Sequence, residues 1–332
     1  VETLTLSQQE VFTMPRTRPP YAAAAATQPS AHRRDFVTHR GQVASIADTR
    51  VSKVRHASLY MLALVLLPTL VHAEPLALRA EAVAAFPAEE ARQGAAVDFE
   101  AFYAIVNSAI GRYDRRTGER LASWSLPRSG PIRHINSCHV ALDRAVLLCA
   151  NSNFPETPMA SSIEAFDART LEHLASRSLG LTDGSLVWFD RFDRTGLETQ
   201  WIAGFAHYDG RGGMPGRDHR ATRIELLDAS FRSVGGWMLP DSVLERLAPH
   251  SASGGAMGPD GLLYLLGHDR EELYVLAFPE LGPELEHVAT VAVELQGQAL
   301  AWDRTTSERI VWGISRPEQE VRAFRIPEIP QD

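Results

Sequence analysis

Ser253-Gly-Gly-Ala-Met-Gly-Pro-Asp-Gly-Leu-Leu-Tyr-Leu-Leu-Gly-His-Asp-Arg-Glu-Glu-Leu-Tyr-Val-Leu-Ala277 reads as strand, Pro-Asp-Gly turn, strand, polar turn, strand. Gly261 suits the positive φ of such a turn, and Leu262 to Leu266 and Leu273 to Leu276 are apolar runs of strand length. The stretch is therefore a small antiparallel meander.

The same pattern recurs on both sides of it. Polar or Gly-marked lead-ins stand at Gln93-Gly94, Asn136-Ser137, Asp183-Gly184, Ser253-Gly254 and Gln296 to Gln298, mostly about 42 to 48 residues apart. The first unit runs Gly94-Ala-Ala-Val-Asp98, Phe102-Tyr-Ala-Ile-Val106, Ala109-Ile-Gly-Arg-Tyr-Asp114 and Leu121-Ala-Ser-Trp-Ser125, four strands in all. Its Asp114-Arg-Arg-Thr-Gly118 turn has a counterpart at Asp167-Ala-Arg-Thr170. The longest step, Gly184 to Gly254, holds a Gly/Arg-rich insertion at Asp209 to Arg220 and a short helix expected within Pro240 to His250. The fifth unit, from Ala299 to Ile326, lacks a fourth strand, which Leu78 to Phe86 can supply from the N-terminus.

Repeating four-stranded units closed by a terminal strand predict an all-β chain, a β-propeller of five antiparallel blades. Six blades is the alternative if the long third unit conceals another, and an antiparallel sandwich is the competing architecture.

Before this region, Lys53, Arg55 and His56 precede the apolar run Leu59 to Val71, and Val71-His-Ala73 is followed by Glu74-Pro75. That order is a signal peptide over 53–73 with cleavage after Ala73, and the run is about 13 residues where a membrane span needs roughly 20. Residues 1–52 are read as a disordered leader or a mis-assigned start, with Val51 or Val54 as the true one, so 74–332 is the single folded domain and the protein is exported, to the periplasm or beyond the cell. No stable membrane anchor is expected after cleavage. The remaining chain has 25 arginines against 37 acids, a net charge near −12, which excludes a phosphate-dominated nucleic-acid surface. Cys138 and Cys149 flank Asp143-Arg144; if these two form a two-residue hairpin turn the cysteines face each other within disulfide reach, and two buried thiols are the alternative.

Gln93 to Asp98, Gln296-Gly-Gln-Ala-Leu-Ala-Trp-Asp303 and Gly258-Pro-Asp-Gly-Leu-Leu-Tyr264 resemble the propellers of the gluconolactonase/SMP-30 and lactonase group, and exported bacterial proteins described as cycloisomerase-like. The resemblance covers roughly 90–327 and implies a ligand at the channel mouth, with lactonase or cycloisomerase acid–base chemistry. It also implies a divalent metal held by an early Glu with Asn and Asp. Gln93 stands where that Glu is sought, a departure that weighs against the metal.

In such blades the lead-in to the inner strand and the turn between the second and third strands open on one face. That mouth receives Gln93, Asn107, His134, Asn136, Asn151, Asn153, Glu156, His207, Asp209, Arg211, His250, Ser253, His268, Asp269 and Gln298, while the opposite face is expected to hold ordinary turn residues such as Asp143-Arg144 and Pro259-Asp-Gly261. His207 is the expected general acid/base and Arg211 a clamp for a substrate carboxylate, with His134 or His268 steadying the developing charge. Asn136, Asn151, Asn153, Glu156, Ser253, Asp269 and Gln298 are the expected ligand-binding groups. Four imidazoles at one mouth would also permit zinc, though no spacing rule supports it. A non-catalytic module binding a small molecule or a protein is the alternative function. The tryptophans fall inside strands and are expected in the core.

Overall fold

The computed structural model describes residues 11–12, 74–193, 200–210 and 214–330. The signal-peptide assignment at 53–73 and Arg211 lie outside the described residues. Along the chain come β1 (Leu76–Arg79) and β2 (Glu81–Pro87), followed by five meanders. Blade 1 is β3 (Gly94–Val97), β4 (Ala101–Val106), β5 (Ala109–Asp114) and β6 (Arg120–Ser125). Blade 2 is β7 (His134–Ala141), β8 (Val146–Ser152), β9 (Ala160–Asp167) and β10 (His173–Leu181). Blade 3 is β11 (Ser185–Phe192), β12 (Gln200–Ala206), β13 (Arg223–Leu227) and β14 (Ser233–Met238). Blade 4 is β15 (Gly254–Met257), β16 (Leu263–Leu266), β17 (Glu272–Ala277) and β18 (Glu286–Ala292). Blade 5 is β19 (Ala301–Trp302), β20 (Ile310–Ser315) and β21 (Glu320–Arg325). The protein is a five-bladed β-propeller. Among the described residues the long third step conceals no sixth blade: the extra ones include a 3₁₀ turn at His219–Ala221 and the helix α1 (Asp241–Leu247).

The expected closing strand is two strands, not one. β2 pairs antiparallel with β21 and supplies the missing outer strand of blade 5, whereas β1 pairs parallel with β18 and gives blade 4 a fifth strand. The chain changes blades at Ala80, whose amide still donates to Ala292. One N-terminal segment thus ties two neighbouring blades and covers both of their outer edges.

Inner strands are short and rich in small residues because they converge on the axis. A Cβ at Gly94 would lie 2.5 Å from the Ala299 Cβ, and one at Gly254 would overlap the Gln298 carbonyl. The Ala299 amide donates to the Gln93 carbonyl at 2.9 Å, so blades 5 and 1 meet there through backbone. This neck separates an upper mouth from a lower channel. Between blades the core is aromatic and aliphatic: Trp188, Trp201, Tyr264, Tyr274, Phe102 and Phe166 are fully buried. Of the tryptophans, Trp302 and Trp312 are also buried, while Trp124 and Trp237 are half-buried.

The lower rim repeats one polar device. The Asp at the end of an inner strand or its turn accepts from an aromatic on the next strand and from an arginine of another blade. Asp260 takes Tyr264 (2.6 Å) and Arg309 of blade 5 (2.8 Å); Asp303 takes Trp312 (3.4 Å), Thr305 and Arg115 of blade 1 (2.6 Å). The Asp303 side chain is almost wholly buried, and removing one member of such a pair leaves the other unmatched in a low-dielectric site. Asp303→Ala is therefore expected to lower the unfolding free energy by about 3–5 kcal/mol in urea titration, with the m-value unchanged. A loss below about 1 kcal/mol would show the link to be a surface pair.

Cys138 and Cys149 pair across β7 and β8 and are joined as a disulfide, Cα to Cα 4.1 Å. The connection is longer than the expected two-residue turn: pairing stops at Ala141↔Val146 and Ala145 adopts φ 51°. Two residues of the leader belong to the packing as well. Val11 is buried in the cluster of Phe189, Trp201 and Phe231, Phe12 meets the Phe231 ring edge-on at 6.4 Å, and Arg144 donates to the Val11 carbonyl. Among the described residues no helix is long and apolar enough to cross a membrane.

Candidate functional site

The upper mouth is ringed by side chains from blades 2 to 5. His134 opens β7, and its amide is held by the Asn151 carboxamide oxygen (3.1 Å). Phe154 lies on the loop after β8, 4.9 Å from the His134 ring. That loop is fixed by Asn153, whose Nδ2 donates to the Pro158 carbonyl and whose Oδ1 accepts from Ala160. Tyr208 follows β12 and meets Phe154 at 5.1 Å and His250 at 6.4 Å. His250 stacks on His268 at 3.9 Å. Five rings therefore cross the mouth from blade 2 to blade 4, each half-buried.

Where the row reaches blade 5 it becomes charged. Asp269 accepts from Nδ1 of His250 (2.7 Å) and Nδ1 of His268 (2.6 Å), and His268 Nε2 lies 2.8 Å from Nη1 of Arg316. A guanidinium only donates, so Nε2 is the acceptor and His268 is the neutral Nδ1–H tautomer. Burial, with the charges of His250 and Arg316, holds the His268 pKa below its ordinary value, against the pull of Asp269. Asp269 titrates low because the two imidazoles donate to it, a hydrogen-bonding effect that outweighs the burial opposing it.

Arg316 is half-buried, and among the described residues no carboxylate stands within ion-pair distance of it. Its pKa is lowered by burial and by the neighbouring Arg92, which itself leans on the Gln319 amide oxygen. Burial and the Arg316 charge push His134 down to about 4, so it is neutral at pH 7. Two like-charged guanidiniums beside a neutral imidazole, with Asp269 acting on Arg316 only through the His268 ring, form a site that favours an anion.

Below this lies the neck. Gln93 Nε2 donates to Asn107 Oδ1 (2.5 Å), leaving Gln93 Oε1 without a partner. Asn136 is fully buried and neither side-chain atom is hydrogen-bonded. Ser253 is likewise enclosed and donates to the Ser251 carbonyl, and Gln298 holds its place by backbone at φ 109°.

The remaining expected site residues scatter. Glu156 is exposed on the rim, paired with Arg133 at 2.8 Å. His207 is fully buried and lies away from the row: its Nε2 is 3.3 Å from Asp183 Oδ1, off the hydrogen-bonding direction, and Asp183 also meets Arg217 and Arg223. Asp209 binds His219 instead of facing the axis. His134 and His268 thus share the mouth, His250 and Asp269 join them, and His207 forms a separate cluster. Arg316, Arg92, Phe154 and Tyr208 were not expected from sequence as site residues.

His250, His268 and Asp269 offer three ligand atoms within 4.8 Å of one another. With Arg316 donating to Nε2, however, both His268 nitrogens are committed, so a metal would have to displace Arg316. The donor set fits a metal poorly as it stands.

The lower face is not the plain turn surface expected. The described residues include a channel cavity of about 20 Å³, room for one water, lined by His139, Asp190, Arg304 and Trp302 among others. His139 packs edge-on against Phe189 (4.8 Å) with neither ring nitrogen hydrogen-bonded, and Asp190 accepts from Arg304 (2.6 Å) and the Met257 amide (2.9 Å).

No family model and no curated protein matches the chain. Solved structures that it resembles include a complex of KlAtg21 with the coiled coil of AgAtg16 (13% identity, TM-score 0.34, covering 70% of this chain and 65% of that one). The WD40 domain of Toxoplasma gondii coronin is similar at 13% identity and TM-score 0.33, over 72% of this chain and 56% of that one. The chain thus spans less than two thirds of either. A GH43_1 enzyme from Xanthomonas citri complexed with xylose matches at 10% identity and TM-score 0.47, over 73% of this chain and 89% of that one.

Proposed function

We propose that this is an exported propeller that binds a small carboxylated molecule at its upper mouth. The observation that carries the reading is Arg316, a half-buried cation beside Arg92 that hydrogen-bonds an imidazole and, among the described residues, has no carboxylate in ion-pair contact, Asp269 acting on it only from beyond the His268 ring. A ligand carboxylate would take the place of His268 on the guanidinium in a charge-assisted pair, the unpartnered carboxamide of Asn136 would take a hydroxyl or carbonyl, and the Gln93 Oε1 would accept from a hydroxyl, directly or through water.

Where chemistry follows binding, as in a lactonase or cycloisomerase, His268 is the proton carrier. Asp269 fixes its tautomer, and its Nε2 lone pair opens to the mouth once Arg316 turns to the ligand. His207 could serve only if the insertion above it moved, since its ring is enclosed. Without turnover the same site remains a binding module.

The test is a thermal-shift and calorimetric screen of carboxylates and lactones on the full chain. A binder is expected to raise Tm, and Arg316→Gln is expected to weaken it about ten- to hundredfold with the resting Tm little changed. Equal affinity in wild type and variant removes the assignment. Export is checked by fractionation, with Glu74 expected as the first residue of the mature chain; Val11 and Phe12 then pack on blade 3 only before cleavage, and an intact N-terminus in the exported protein overturns the cleavage site.

A further inference from the structure

The row of rings reads further than charge alone, and rests on the carboxylate reading above. Its centroid steps run 4.9 Å (His134 to Phe154), 5.1 Å (Phe154 to Tyr208), 6.4 Å (Tyr208 to His250) and 3.9 Å (His250 to His268), and it ends on the Arg316 guanidinium. Every member keeps part of its surface in solvent. Core rings in this fold are buried whether they lie in strands, as Trp188, Phe102 and Tyr264 do, or on connections, as Phe231 and Phe278 do. Phe154 instead projects from a loop whose backbone is pinned at Asn153 by three separate bonds: to Ala160 in both directions and to Pro158. Tyr208 stands at the root of the blade 3 insertion. Two loops of different blades thus deliver rings to one row, which runs through His250 and His268 to a cation with no carboxylate in ion-pair contact among the described residues.

We propose that the ligand is an aromatic carboxylate, its ring carried by Phe154 and Tyr208 and its carboxylate by Arg316. A planar ring gains edge-to-face or offset contacts with this row that an aliphatic ring of equal size does not, because only π-systems have the complementary quadrupole. A guanidinium also accepts an aromatic ring against its plane as readily as it accepts a carboxylate at its edge. An aliphatic acid would meet the same charge with only apolar burial to add.

The experiment is calorimetric titration of the full chain with benzoate, cyclohexanecarboxylate and acetate. Benzoate is expected to bind about tenfold more tightly than cyclohexanecarboxylate, and acetate weakest of the three. Phe154→Leu should bring benzoate down to the cyclohexanecarboxylate level and leave the latter where it was; a folded Tyr208→Leu variant should act in the same direction. Equal binding of benzoate and cyclohexanecarboxylate by the wild type overturns the aromatic preference while leaving the carboxylate site intact. Failure of all three acids, with Arg316→Gln indistinguishable from wild type, overturns both.

Discussion

A chain shortened to begin at Ala88 is expected to lose its cooperative unfolding transition. The missing segment contains β1 and β2, and with them the outer strand of blade 5, the fifth strand of blade 4 and the Phe86 ring that packs on both Phe102 (5.2 Å) and Trp312 (6.3 Å). Glu81 to Pro87 are registered against Arg325 to Glu320, so six positions of β21 would lose their partner strand. Leu78, Ala84 and Phe86 pack on the clusters of blades 4 and 5, whose apolar surface would be opened to water. At about 25 cal/mol per Å² the apolar area of a few such side chains is worth several kcal/mol, comparable to the whole stability of a domain. Urea titration followed by tryptophan fluorescence is the measurement. A transition with the wild-type midpoint and slope would show that blades 4 and 5 hold together without the segment.

Acidification should destabilise the protein before its carboxylates titrate. His139 is pushed down to about 4, chiefly by burial and against the pull of Asp190, and His134 to about 4 by burial together with Arg316. In the unfolded chain both titrate near 6.5. As the pH falls from about 6.5 to about 4 the unfolded state takes up protons that the folded state refuses, so the unfolding free energy falls through that window and levels off below it. Each histidine accounts for roughly 3 kcal/mol at the low end. His139→Phe keeps the edge-on packing against Phe189 and removes the titrating group, and is expected to reduce the fall in stability across this window by its own share of roughly 3 kcal/mol, leaving the part due to the other depressed histidines. An unaltered slope would place the acid sensitivity elsewhere.

Blade construction was legible because it rests on local rules: apolar strands of period two, Pro-Asp-Gly and Asp-x-x-Thr turns, and Gly at the lead-ins. Asp114 and Asp167 hold their turns through bonds to the amides two and three residues on, which is a property of the turn itself. The division of Leu78 to Phe86 between two blades was not legible, because Ala80 carries no breaker and the parallel pairing with Ala289 to Ala292 is decided over more than 200 residues of separation. At the mouth, the lead-in and second-turn positions brought His134, His268, Asp269 and His250 to one face, while Asn136 lies in the neck below. They missed Arg316, which follows a strand rich in apolar residues and looks in sequence like any turn arginine. His207 and Tyr208 are adjacent, and sequence favoured the imidazole for its chemistry; their contacts show Tyr208 among the mouth rings and His207 with Asp183. The lower channel was missed because His139 lies mid-strand, where a histidine gives no pattern of its own.

Synthesis order gives the two-blade segment a further meaning. Glu81 leaves the ribosome some 240 residues before Arg325, the residue it must face. Blades 1 to 3 can assemble as they emerge, but the last pairing waits for the end of translation, and such distant partners are slow to find each other. Until then β2 has no partner strand, and β1 has none until β18 emerges, so the nascent chain is at its most vulnerable to self-association or to capture by a chaperone.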